Sequence, residues 1–338
     1  MSEDPSSPES SPRPRSSGVR TFVGLFVVPL LVVIMCVGVF VLFGWAAYER
    51  RSVEDYLSDL RDNRSFFAHR RKQAAYELSK ILSANPQALR EDPRAGEELR
   101  KLFTTSQDLW VRRYLALVLG HVGDHEAVPL LVTGAADDDS QVRIYSLWAL
   151  GAIADPAGMP TLTAALNDED PGIRKTAAYA LGGFADPAAA DALRPLVDDP
   201  IADVRWNAAL ALARQGDGSG TPVLEQMLDR RLLAQIPDIT PEQQEDAMIS
   251  ALNALIALDV EIDGAVLDRL ATDDPSYKVR QAAIQARKTR AGGRQGEHRQ
   301  LISDRLAVGP AALTPSDRFD YIRGFPVCPG SLPQQGRV

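Results

Sequence analysis

Arg112, Arg143, Arg174 and Arg205 stand 31 residues apart, and Asp124, Asp155, Asp186 and Asp217 keep the same step. So do Leu119, Leu150, Leu181 and Leu212, and the hydrophobes Val111, Val142, Ile173 and Val204. A fixed period of this size marks units that cannot bury their apolar faces alone and must stack into a solenoid. The expected fold class is all-α, an α-solenoid of helix pairs. Stacked arrays offer long surfaces to partners and seldom enclose a reaction site, so binding is the expected function.

Within the repeats, two apolar helical patterns alternate with Asp- and Pro-bearing turns, as in AVPLLVTGAA, DDDSQ and VRIYSLWALGAI. The regular stretch runs from 106 to 228. An insertion holding Pro237 and Pro241 then breaks the period, and helical spacing returns at 247–258, 264–271 and 273–286. The segment RRKQAAYELSKIL (70–82) reads as an earlier repeat helix, so the solenoid is placed at 67–288.

The flanks differ sharply. Residues 1–21 are rich in Ser and Pro with almost nothing to bury, which reads as a disordered tail. Between Arg20 and Glu49 lies an uncharged run of 28 residues, TFVGLFVVPLLVVIMCVGVFVLFGWAAY. That length suits a bilayer core of about 30 Å and exceeds the ordinary h-region of a signal peptide, so residues 22–48 are expected to form one transmembrane helix. Residues 49–66 are read as a juxtamembrane helix, with Ser52 as N-cap and Tyr56, Leu57 and Leu60 at helical spacing. Arg13, Arg15 and Arg20 precede the span while Arg50 and Arg51 follow it, which leaves the repeats on the outer side by a narrow margin. Arg outnumbers Lys 31 to 6, the usage of a GC-rich bacterial genome, and the expected location is a bacterial inner membrane. Residues 289–338 carry many Gly, Pro and Arg without a period and read as a second disordered tail.

Charge narrows the partner. The chain carries a net charge of −8, and residues 67–288 hold 23 Lys and Arg against 33 Asp and Glu. An acidic fold offers no general footprint for nucleic acid, and its acidic turns favour a protein or peptide carrying basic residues. The two cysteines, Cys36 and Cys328, lie outside the repeats, so the repeats hold neither a disulfide framework nor a thiolate metal site.

An Asp stands six residues before an Arg at Asp137/Arg143, Asp168/Arg174, Asp199/Arg205 and Asp274/Arg280. A hydrophobe precedes each Arg, and Ala-rich turns end in Leu-Gly at 119–120, 150–151 and 181–182; Ser106 replaces the Asp of the first unit, and Ala213 the glycine of the last. In these features the chain resembles the HEAT repeat family, specifically the short HEAT-like units also found in phycobilisome lyases. The resemblance covers about two thirds of the chain and implies a concave surface lined by the second helix of each pair. Physically, an Asp in the turn can accept the free N–H groups of the following helix. The Arg can meet a carboxylate of the same or next unit, forming a structural ladder.

Counting the second helix from the hydrophobe before Arg, positions 1, 5, 8, 9 and 12 form the core face. Positions 3 and 7 point away from it. Position 3 holds Arg113, Ile144, Lys175 and Trp206, and position 7 holds Leu117, Trp148, Tyr179 and Leu210. Large apolar side chains where polar ones are expected suggest an aromatic partner-binding stripe. The alternative is that a tightly curved array buries these side chains against one another, or that a flanking segment covers them. A lyase-like enzyme handling a bilin or other small molecule, and an envelope lipid sensor, are the rival functions.

Other candidate chemistry dissolves into the repeat. His121 and His125 share a metal-ligand spacing, but Gly123 separates them and His125 sits where later units have Pro156 and Pro187. GDGSG (216–220) replaces an Asp-Pro turn, and Asp137–Asp139 and Glu169–Asp170 fall at helix junctions. No catalytic constellation, metal site or cofactor is expected.

Overall fold

The computed structural model describes residues 28–47, 51–62, 68–90, 93–237 and 239–291. The tail read at 1–21 lies outside these residues, as does 292–338 of the tail read at 289–338; residues 289–291 instead end the last helix. Every regular element among the described residues is helical. The chain divides into two units, Met1–Ser52 and Val53–Val338.

In the first unit, α1 (Val28–Ala47) carries no acidic or basic residue in its sequence VPLLVVIMCVGVFVLFGWAA. Pro29 falls in its first turn, where a missing N–H costs no intrahelical bond. Leu30, Val33, Met35, Phe40 and Leu42 are all exposed, so apolar side chains cover every side. Side chains of α1 are described over 30–42 only, about 20 Å of helix at 1.5 Å per residue. Among the described residues no helix is long and apolar enough to cross a membrane.

The second unit is a helical solenoid. It begins with α2 (Val53–Arg61), α3 (Ala68–Ala84), α4 (Gln87–Arg90) and α5 (Pro93–Thr105). The regular stretch follows as α6 (Leu109–Val122), α7 (Val128–Gly134), α8 (Ser140–Ile153), α9 (Met159–Ala165), α10 (Pro171–Leu181), α11 (Pro187–Leu193), α12 (Ala202–Arg214) and α13 (Thr221–Gln226). After it come the short α14 (Arg230–Leu233), then α15 (Pro241–Ala257), α16 (Gly264–Asp273) and α17 (Tyr277–Ala291). The long second helices α3, α6, α8, α10, α12, α15 and α17 pack side by side in an inner row, and α5, α7, α9, α11, α13 and α16 pack behind them. Segment 49–66, read as a juxtamembrane helix, contributes α2, which buries Tyr56, Leu57 and Leu60 and packs on α3 and α5.

The Leu-Gly pairs mark where inner helices cross most closely. A Cβ on Gly151 would stand 2.6 Å from the Ala180 Cα, and one on Gly120 would stand 2.8 Å from the Ala149 Cα. Glycine is therefore required by contact between neighbouring units. Ala213 takes this position at the end of the regular stretch, where α12 meets α15 in place of another 31-residue unit. The hydrophobic core divides in the same place: one cluster runs from Tyr56 to Leu212 and the other from Ala209 to Ala286.

Candidate functional site

The expected stripe at positions 3 and 7 is mostly interior. Leu117, Ile144, Trp148, Lys175 and Tyr179 are buried, Trp148 to 2% exposure. Trp148 packs on the preceding inner helix, its ring edge-on to His121 at 4.8 Å and against the site of Gly120. Position 3 faces the start of the next inner helix. Arg113 Nε and Nη2 donate to Asp139 at 3.0 and 2.6 Å, and Lys175 Nζ lies 3.1 Å from Asp203. Each inner helix is flanked on both sides, so a face that is free on an isolated helix is filled here by its neighbours. Trp206 and Leu210 alone keep partial exposure with Arg113.

The ladder residues do two separate jobs. Helix capping belongs to Asp108, Asp139 and Asp170, which accept from Trp110, Val142 and Gly172 amides. The expected capping residues Asp137, Asp168, Asp199 and Asp274 stand two residues earlier and instead accept from the N–H of the cap position at 2.8–3.0 Å. The arginines tie down the same turns from the other side. Nη1 of Arg143, Arg174, Arg205 and Arg280 donates to the carbonyl oxygens of Asp137, Asp168, Asp199 and Asp274, at 2.9, 2.9, 2.6 and 2.6 Å.

Rungs between units are fewer. Arg112 pairs with Asp137, and Arg174 grips Asp199 through Nε at 2.8 Å and Nη2 at 3.1 Å. Burial favours the neutral form of Asp199, but the Arg174 guanidinium and the Ile201 amide outweigh it and hold its carboxyl below the ordinary value. Arg143 makes its turn contacts but no ion pair with Asp168, and its Nε is buried without a partner among the described residues.

At α12 the pattern fails in three ways. The cap position that carried Asp108, Asp139 and Asp170 holds Ile201, which makes no side-chain cap and is 42% exposed. Position 3 holds Trp206. Thirdly, the position 31 residues beyond Asp199 is Arg230, which cannot accept from Arg205 and instead grips Asp274 at 3.0 and 2.9 Å. Between α12 and the segment around α14 opens a cleft of about 550 Å³. Ile201, Trp206, Leu232, Leu233 and Ile236 give it an apolar lining, with Leu232 45% exposed, and Asp203, Arg205, Gln226 and Gln235 are its polar groups.

The family model for HEAT repeats matches residues 96–168, 131–213 and 159–235. Residues 96–235 carry HEAT repeats. The HEAT array has counterparts among solved structures. The chain shares 19% identity and a TM-score of 0.51 with the complex of CpcE and CpcF of phycocyanin lyase from Nostoc sp. PCC7120, covering 76% of this chain and 95% of that one. An archaeal HEAT-like repeats protein from Thermococcus onnurineus NA1 is 12% identical over 77% of this chain and 99% of that one, with a TM-score of 0.40. A structure of Kap95p with RanGDP matches at 15% identity and a TM-score of 0.43, covering 85% of this chain and 42% of Kap95p. No curated protein matches the chain in sequence. These likenesses concern the fold.

The cleft was only half visible in the HEAT sequence pattern. Trp206 stood out as an aromatic at position 3. Ile201, Leu232 and Ile236 did not, although Ile201 interrupts the series of capping aspartates and Arg230 reverses the charge of the ladder. The two histidines part company: His121 is buried at the end of α6, while His125 Nδ1 lies 2.8 Å from Asp155 on the surface. GDGSG folds as a turn opened by Gly216 at φ +76° and capped by Asp217 onto Ser219 N–H. No group of His, Cys, Asp and Glu among the described residues is arranged to hold a metal ion.

Proposed function

We propose that this chain is a HEAT-repeat scaffold, held at a membrane through residues 22–48, that docks a protein partner in the cleft between α12 and α14. One observation carries the docking reading: the 31-residue pattern is abandoned at α12, which places exposed Ile201 and partly buried Trp206 opposite exposed Leu232. Replacing a capping Asp by a β-branched hydrophobe costs about 0.5–2 kcal/mol of helix stability. A cluster of exposed apolar side chains retained at that cost favours an interaction site over packing. The docking residues are thus Ile201, Trp206, Leu232 and Ile236, and not the buried Trp148 and Tyr179.

The anchor reading rests on α1 and its flanks. A run of 28 uncharged residues, with apolar side chains exposed on every side of the described helix, favours a lipid surrounding over water. Alkaline carbonate washing of membranes containing the full chain should leave it in the pellet; release into the wash would end the anchor reading.

Docking is tested by placing a photocrosslinking amino acid at Leu232 in the full chain, with Tyr277, 67% exposed, as the control position. A protein adduct that forms at Leu232, is absent at Tyr277 and is lost with Trp206→Ala supports the cleft. Equal adducts at both positions, or none at Leu232, would refute it.

A further inference from the structure

Arg205 lines the cleft with three of its five N–H groups, those of Nε and Nη2, unused within the described residues. Its Nη1 donates to the Asp199 and Pro200 carbonyl oxygens at 2.6 and 3.1 Å, as Arg174 Nη1 does to Asp168 and Glu169 at 2.9 and 3.1 Å. In Arg174 the remaining fork, Nε and Nη2, holds Asp199 of the next unit. In Arg205 the same two nitrogens have no hydrogen-bond or ion-pair partner among the described residues. The next rung position is Arg230, already committed to Asp274 and of the wrong charge to answer Arg205. The other charge in the lining, Asp203, is paired with Lys175.

We infer that a docked polypeptide supplies the missing rung: an Asp or Glu side chain that Arg205 grips, beside a large apolar residue seated among Ile201, Trp206 and Leu232. This inference rests on the docking reading above and names the chemistry of its partner. A planar guanidinium fork with free N–H groups matches a carboxylate in two parallel bonds, and the low-dielectric apolar wall strengthens that match. Arg174 and Asp199 show the geometry one unit earlier. Arg143 differs from Arg205, because an aspartate, Asp168, already occupies its next rung position. The partner is therefore acidic at this contact, against the basic character that the overall charge of the repeats suggests.

The test uses the full chain in detergent micelles and fluorescently labelled nonapeptides with both termini blocked. Each peptide has a central Leu or Trp and Asp, Asn or Lys at one flanking position, and binding is read by anisotropy. Some Asp peptide should bind about tenfold or more tightly than its Asn twin. Arg205→Gln should erase that preference, Arg205→Glu should transfer it to the matching Lys peptide, and Arg205→Lys, which keeps a donor for the turn carbonyls but loses the fork, should reduce it. Circular dichroism of each variant must retain the wild-type helicity, and a variant that loses it is replaced in the comparison by Arg205→Lys. Equal binding of Asp and Asn peptides, or an Asp preference that survives Arg205→Gln and Arg205→Lys, overturns the inference. If no peptide binds while the Leu232 crosslink forms, the carboxylate rung is wrong and docking stands; if both fail, both readings fall.

Discussion

Arg174 and Arg205 occupy the same position in successive repeats, and they differ in what stands at the next rung: Asp199 for one and Arg230 for the other. Both tie the turn before their own helix through Nη1. Arg174 also reaches forward to Asp199, whereas Arg205 reaches toward a unit that offers Arg230. At Arg174 the regular stretch spends the guanidinium fork on the next unit, and it buries Trp148 and Tyr179. The break leaves a guanidinium fork and a patch of apolar side chains without internal partners. A solenoid binds through what its repeats do not consume.

The largest effect is expected where the comparison is most one-sided. Asp199 is the carboxylate that Arg174 holds, with its side chain 8% exposed, and it also anchors the Ile201 amide. Asp199→Ala leaves a partly buried guanidinium short of its partner and should cost about 3 kcal/mol, the lower end of the range for breaking a buried pair. Arg205→Gln loses only contacts to two carbonyl oxygens and should cost about 1 kcal/mol. Denaturant unfolding of the two variants checks this, and equal losses would mean that the Arg174 rung does not carry the difference. The pair also sets a pH dependence. Because the folded-state pKa of Asp199 lies below its unfolded value, its stabilisation is complete above about pH 4 and is lost as the pH falls through the folded value. The wild type should therefore lose more stability than Asp199→Asn on acidification below about pH 4.

A second contrast lies at the helix crossings. Gly151 and Ala213 are corresponding residues two units apart, yet a Cβ at 151 would collide with Ala180, whereas α12 already accommodates one at 213. Gly151→Ala should destabilise by about 1–3 kcal/mol through overpacking, despite the better helix propensity of alanine. Ala213→Gly should cost about 1 kcal/mol from propensity and lost contact. Thermal melts followed by circular dichroism separate the two, and a neutral or stabilising Gly151→Ala would show that the inner row is not closely packed there.

What the sequence made legible follows from this contrast. The period, the Leu-Gly pairs and the Asp/Arg spacing sufficed for an all-α solenoid, because each records a contact repeated between neighbours. The stripe expected on the surface is mostly buried, because a helical wheel treats each helix as alone. Position 7 of α8 looks outward on a wheel, but α6 and α10 stand on either side, and Trp148 fills the space against Gly120. Trp206 stays partly open because the next unit is not a copy. The residues that break the period, Ile201 and Arg230, carry no signal in the repeat itself, because a period records only what successive units share.

The smallest expected effect tests that view most directly. Ile201 has extended backbone, φ −94° and ψ 123°, much like the capping aspartates Asp139 and Asp170 at the same place in their units. Ile201→Asp should therefore cap α12 and set a second carboxylate, beside Asp203, at the place where Asp139 answers Arg113, raising stability by about 1 kcal/mol. The same change removes an apolar wall of the cleft and sets a carboxylate near Arg205. Thermal unfolding should show the gain, and the Leu232 photocrosslink should show a loss of capture. A variant that is stabilised and still captures its partner would mean that Ile201 is no part of the docking cleft. A variant that is destabilised would mean that Ile201 packs as core, and that the break in the pattern at α12 is a feature of folding alone.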